Sequence, residues 1–211
     1  MINLEIGKII DLRKCISIKK GQTISKRLTN REDGLRLFSM YNGTDISQEA
    51  YGTTRAYICI MGNLKFKDKI LKENEMIAFE KDEYFEIVAN SNSVFLEIFE
   101  NKGDIMINLE KGKVLDLKSL IDYEDGGISN LDLNSENGTK IMLMAFDKGE
   151  GLSPHKAPAD ALILALQGEA EVLVGEETFE LKEGQQIVFP KDVLHNVSAK
   201  TKFKMLLILP K

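Results

Sequence analysis

Apolar residues come in short runs along the whole chain, separated by Gly, Asn and Asp. In the second half the runs fall at residues 141–146, 161–166, 170–174, 178–181, 187–189 and 205–209. Runs this short, bounded by turn residues, predict strands, and their close spacing predicts an all-β sandwich or barrel. Residues 171–181 read as two strands around Gly175-Glu176-Glu177, a hairpin whose glycine supplies a positive φ where the turn needs one. Two segments, 11–18 and 116–123, open with Asp ahead of apolar residues. That suits a helix N-cap, with strand as the alternative because both are short.

The pattern repeats. Residues 1–12, MINLEIGKIIDL, return at 106–117 as MINLEKGKVLDL, nine of the twelve positions being identical. The offset of 105 becomes 106 where Leu37-Phe38 faces Leu143-Met144, Gly43 faces Gly149 and Gly62 faces Gly168. It grows to 110 where residues 77–79 face 187–189, and small loop insertions account for the drift. A period of about 105 residues is too long for a solenoid unit and matches a small domain. Two homologous domains are therefore expected, residues 1–104 and 105–211, with Asn101-Lys102-Gly103-Asp104 as the joint.

Composition narrows the functions. Of 211 residues, 43% are hydrophobic, 29% are charged and 4 are Pro, which is ordinary for a globular protein. Lys and Arg number 28 against 33 Asp and Glu, a net charge of -5 without the basic stripe that binding to nucleic acid requires. The longest apolar runs fall far short of the roughly 20 residues of a membrane span, so no membrane partner is expected. The first residues lack a basic start followed by an apolar stretch, which makes the cytoplasm the expected location. Cys15 and Cys59 have no CxxC spacing and read as structural thiols. Met142, Met144 and Met205 sit in apolar runs and read as core. The acidic stretches 73–75, 122–125 and 176–177 lack calcium-loop spacing and read as solvated surface. No dinucleotide, P-loop or serine-hydrolase motif is present, and Ser153 near His155 has no third orienting group for nucleophilic catalysis.

Chemistry concentrates in the second half. Gly149, His155, Ala157, Ala161 and Gly168, followed by Gly184, Pro190, Asp192, His195 and Ala199, keep the spacing of the patterns G-x5-H-x-H-x3,4-E-x6-G and G-x5-P-x-G-x2-H-x3-N. The first half keeps the same gaps with Gly43, Glu49, Tyr51, Arg55 and Gly62, then Asn74, Glu80, Asp82 and Phe85. Both halves thus resemble cupins, and the resemblance covers nearly the whole chain. It implies two tandem cupin-type jelly-roll β-barrels, a bicupin, each a small antiparallel barrel able to enclose a cavity. It also implies packing of the two barrels within one chain, with a homodimer as the further option.

The resemblance implies a divalent metal, Fe, Mn, Ni or Zn, held by three His and a carboxylate. Here Ala157 stands at the second His position and Ala161 at the carboxylate position, leaving His155 and His195. Asp160 is the candidate third metal ligand, which would give the two-His-one-carboxylate content of non-haem iron. Strand parity sets residue 160 on the face opposite 155, 157 and 161, unless Pro158 introduces a bulge. The chain's only two histidines fall on metal positions of one motif pair. His155, His195, Ala157 and Ala161 are therefore the candidate ligand-binding residues. In the first half, Glu49 and Arg55 are candidates for a buried ion pair where the metal would have been. Three functions follow: binding of a small polar metabolite in the C-terminal barrel; a metal-dependent enzyme of oxygenase or sugar isomerase or epimerase type; a purely structural protein. Catalytic residues are not assigned.

Overall fold

The computed structural model describes residues 1–29, 34–99, 109–134 and 139–210; the segment 101–104, expected as the joint, lies outside them. The first half runs β1 (Ile9–Ile10), β2 (Thr23–Arg27), β3 (Gly34–Met40), β4 (Asp45–Ala50), β5 (Arg55–Met61), β6 (Asn63–Phe66), β7 (Lys69–Lys72), β8 (Glu75–Phe79), β9 (Tyr84–Ala89) and β10 (Ser93–Phe99). The second runs β11 (Leu115–Asp116), β12 (Ile128–Asp132), β13 (Lys140–Phe146), β14 (His155–Lys156), β15 (Ala161–Gln167), β16 (Glu169–Val174), β17 (Glu177–Lys182), β18 (Gln186–Phe189), β19 (Leu194–Ala199) and β20 (Phe203–Leu209). The described residues are nearly all β, as the run lengths predict. Neither proposed helix forms. A single 3-10 turn, Leu12–Lys14, follows Asp11, and turns follow Asp116. Leu12 and Leu117 are fully buried, so the apolar residue after each Asp plugs a core and does not open a helical face.

The chain forms two compact units, one of Leu12–Asp116 with Ile2, the other of Met1 and Asn3–Asp11 with Leu117–Lys211. They are called here the N-terminal and C-terminal barrels. Each is a jelly roll of a six-stranded and a four-stranded sheet, ordered β11-β8-β5-β10-β3-β2 and β4-β9-β6-β7 in the N-terminal barrel. The C-terminal barrel has β1-β18-β15-β20-β13-β12 and β14-β19-β16-β17. The short edge strand of each large sheet is drawn from the segment that opens the other repeat: Ile9 and Ile10 pair with Ile187 and Gln186, and Leu115 and Asp116 with Met76 and Glu75.

Alternation along the strands sends one set of side chains between the two sheets of each barrel. In the C-terminal barrel that set includes Met144, Ala161, Ile163, Ala165, Ile187, Phe189 and Met205 from the large sheet, with Val172, Val174, Leu181 and Val197 from the small one. In the N-terminal barrel it is aromatic, with Tyr57, Phe66, Phe79, Phe85 and Phe95 in mutual contact. Buried Met144 and Met205 are core, and Met142 is partly buried against that core. Among the described residues neither Cys15 nor Cys59 is in a disulfide; burial pushes the Cys59 thiol up to about 12.

Backbone requirements explain which motif residues both halves keep. Gly62 and Gly168 have φ of 83° and 78°, and a Cβ at either would collide with a backbone carbonyl oxygen, that of Asn92 or Lys202. Asp82 and Asp192, each at the inner glycine position of the second motif, hold φ of 60° and 59°. Asp visits the left-handed region at small cost, so these departures from glycine leave the turn intact.

Candidate functional site

His155 and His195 are opposite one another in the register of β14 and β19, so their side chains leave the same face of the small sheet. Their ring centroids lie 4.5 Å apart at an interplanar angle of 62°, edge to face. His195 is 3% exposed and stacks on Phe189 of the large sheet, 4.5 Å away at 26°; His155 is exposed. The buried ring belongs to the barrel interior, and the outer one lies at its rim.

The two imidazoles are oriented in the same way. His155 Nδ1 is 2.9 Å from the Ser153 carbonyl oxygen, and His195 Nδ1 is 2.9 Å from that of Val193. A carbonyl only accepts, so each Nδ1 is a protonated nitrogen, and in the neutral ring it is Nε2 that carries the lone pair. Among the described residues neither Nε2 has a hydrogen-bonding partner. Ser153 therefore acts through its carbonyl, as an orienting group. Burial holds the His195 imidazole below its ordinary value, and the charge of neighbouring His155 adds to this, against the bond to Val193. His195 is neutral at pH 7.

Ala157 is half-buried in the loop after β14, where its carbonyl accepts from the Asp192 N–H (2.9 Å), and buried Ala161 opens β15. Ala161 is opposite Phe189, the ring on which His195 stacks. Asp160 is not brought to the histidines. One of its oxygens accepts from the Lys191 N–H (2.8 Å) and the other meets the amino group of Met1. Among the described residues no three or more His, Cys, Asp or Glu side chains are grouped so as to hold a metal ion. The residues present supply two nitrogen donors, and a metal would need its other donors from a ligand or water.

The remaining wall was not visible in the motifs. On the interior face Leu207 is opposite Ile163 and Met142, and Leu209 follows two residues on. Met142, Leu207 and Leu209 are partly buried against the core. The signal was available in the repeat, because the offset of 110 that matches β8 with β18 also matches Glu97 with Leu207 and Phe99 with Leu209.

The N-terminal barrel uses the same places differently. Its counterpart of the His pair is Glu49 opposite Phe85. The expected pair of Glu49 with Arg55 does not form. Arg55 meets Glu97, a carboxylate 3% exposed, while Glu49 is exposed on the opposing small sheet. Glu97 lies on the neighbouring strand of the same interior face, opposite Tyr57, whose hydroxyl donates to Glu97 (3.2 Å). Arg36 approaches its other oxygen at 3.6 Å. The Arg55 guanidinium lies 3.6 Å from the centroid of the Tyr51 ring and 4.9 Å from that of Phe99. Burial, with help from Glu49, pushes the Tyr51 hydroxyl up to about 12.

Known proteins agree with this architecture. A family model described as a cupin domain matches residues 142–209. The solved structure of a cupin 2 conserved barrel domain protein from Leptotrichia buccalis is 31% identical over 100% of both chains, with a TM-score of 0.87. A salicylate 1,2-dioxygenase from Pseudaminobacter salicylatoxidans is 9% identical over 84% of this chain and 71% of its own, with a TM-score of 0.60. A mutant oxalate decarboxylase from Bacillus subtilis is 13% identical over 99% of this chain and 78% of its own, at 0.58. At such identities the last two share the fold alone. No curated protein matches the sequence. Among the described residues no helix is long and apolar enough to cross a membrane.

Proposed function

The chain belongs to the cupin superfamily, and from that premise we propose that its C-terminal barrel binds a small molecule whose polar group is held by His155 and His195. The observation that carries this reading is the shared orientation of the rings. Each Nδ1 is committed to a backbone carbonyl, so among the described residues each Nε2 is left without a partner on adjoining rings, the buried one stacked on Phe189 opposite Ala161. A folded core has no use for a buried lone pair without a donor, and the His195 ring is 3% exposed. The N-terminal barrel, whose equivalent places are filled by Arg55, Tyr51 and Glu97, is in this reading the structural partner.

A second reading has its own support. Histidines whose Nδ1 is tied to a carbonyl are oriented as metal-binding histidines are. The residues would give two ligands, with the bound molecule completing the shell, and such a centre would supply Lewis-acid chemistry to an enzyme of oxygenase or isomerase type. Asp160, engaged by Lys191 and Met1, has no part in it.

Metal content and native mass spectrometry of the purified protein, with His155→Ala and His195→Ala beside it, separate the readings. A co-purified small molecule without stoichiometric metal, lost in both variants, supports the binding site. Stoichiometric Fe, Mn, Ni or Zn lost in the variants moves the assignment to the metal-dependent reading. Neither metal nor ligand, in a protein that the substitutions only destabilise, leaves a structural role.

A further inference from the structure

Resting on the reading of the His pair as a ligand site, we propose that the ligand is an apolar molecule bearing one hydroxyl group, an alcohol or phenol, and not a sugar, polyol or carboxylate. The head group follows from the tautomers. A single hydroxyl has one hydrogen, which it donates to the Nε2 of buried His195 while the exposed His155 Nε2 keeps its hydration; a carboxylate has no hydrogen to donate and would meet lone pairs.

The body follows from the wall. Around Ala161 the interior face of the large sheet carries Ile163, Leu207, Leu209 and Met142, none with a group that could pair a second hydroxyl. Lys140, opposite Leu209, is engaged with Asp132 at 3.6 Å. A sugar laid on this wall would lose the hydration of several hydroxyls and regain none. The N-terminal barrel shows that the fold accommodates polar groups here, because Leu207 and Met142 correspond to Glu97 and Arg36. Glu97 and Phe99 are 3% and 5% exposed where Leu207 and Leu209 are only partly buried, so the C-terminal mouth is the open one.

The test is NMR titration of protein carrying 13C-methyl methionine, following Met142, with 1-alkanols from propanol to heptanol, the methyl ether of hexanol, hexanoate and glycerol. Affinity for the alkanols should rise roughly fourfold per methylene until the mouth is filled. The ether should bind at least about tenfold more weakly than hexanol, since it has no hydrogen to donate. Glycerol and hexanoate should leave Met142 unmoved. Leu207→Glu, the residue of the other barrel, should flatten the chain-length series, and the wild-type series stands as a test even where that variant does not fold.

Affinity independent of chain length, an ether equal to the alcohol, or a stronger response to glycerol or hexanoate overturns the assignment of ligand class. In those cases, probe binding that His195→Ala abolishes keeps the His-centred site and discards only the class. No response to any probe overturns the class, and with no co-purified ligand it takes the site with it.

Discussion

The two barrels are built on one sequence frame and have opposite interiors. In the N-terminal barrel Tyr57, Phe66, Phe79, Phe85 and Phe95 fill the space between the sheets, and at the end of it Arg55 and Arg36 lie against the Glu97 carboxylate. In the C-terminal barrel, Ala161 stands for Arg55, Ile163 for Tyr57, Leu207 for Glu97 and His195 for Phe85. Each exchange removes bulk or charge. With His155 in place of Glu49, two imidazoles are gained in return. The same backbone thus supports an aromatic, charge-closed interior and an aliphatic one with two histidines at its end.

The largest effect should come from breaking the seal. Glu97→Leu leaves Arg55 with no carboxylate in a largely buried site and should cost about 3–5 kcal/mol in urea unfolding. The double variant Glu97→Leu/Arg55→Ala, which copies the C-terminal barrel, should recover much of that loss. A double variant as unstable as the single would show that the charges are not what distinguishes the barrels. Phe66→Ala, by removing a fully buried ring, should cost about 3–4 kcal/mol. The reciprocal experiment, Ala157→Tyr, introduces the residue that the N-terminal barrel has as Tyr51; stability should change by less than about 1 kcal/mol because Ala157 is a half-buried loop residue. A loss as large as that from Phe66→Ala would mean that the loop has no room for the ring.

The histidine pair makes an acid-side prediction. The folded His195 has its pKa lowered by burial, so the unfolded chain binds the proton first. Stability should therefore decline as pH falls below the unfolded value of about 6.5, by at most about 1.4 kcal/mol per pH unit. His195→Phe, the residue at the equivalent place in the N-terminal barrel, should remove this part of the pH dependence. An unchanged pH profile in that variant would assign the acid loss to other groups. The smallest effect is at the rim. Lys67 and Glu83 form an exposed pair at 2.6 Å whose counterparts are Leu173 and Val193, and Lys67→Ala should cost no more than about 0.5 kcal/mol.

Much of this was legible in the residues. The apolar runs gave the strands, and motif spacing brought two histidines forty residues apart into one cross-strand pair. Other features needed side-chain partners. Glu49 and Arg55 share a motif but belong to different sheets, so the motif suggested a pair where the fold put Glu97 beside Arg55. Asp160 had suitable chemistry for a ligand, and its two oxygens are consumed by Lys191 and Met1. The Asp residues at 11 and 116 looked like helix caps because local pattern reports propensity alone. The burial of Leu12 and Leu117 overrides it.

The sequence by itself determined the strand content, the tandem repeat and the places where glycine-like backbone is required, because these depend on alternation and on local sterics. It also determined that the only imidazoles occupy matched positions in one half. Only the tertiary structure decided which copy of a nearly identical opening segment edges which sheet, since residues 1–12 and 106–117 offer either barrel almost the same side chains. It likewise decided which carboxylate meets Arg55 and which nitrogens of the two histidines are left open. Those outcomes depend on distances between strands remote in the chain, and no local pattern encodes them.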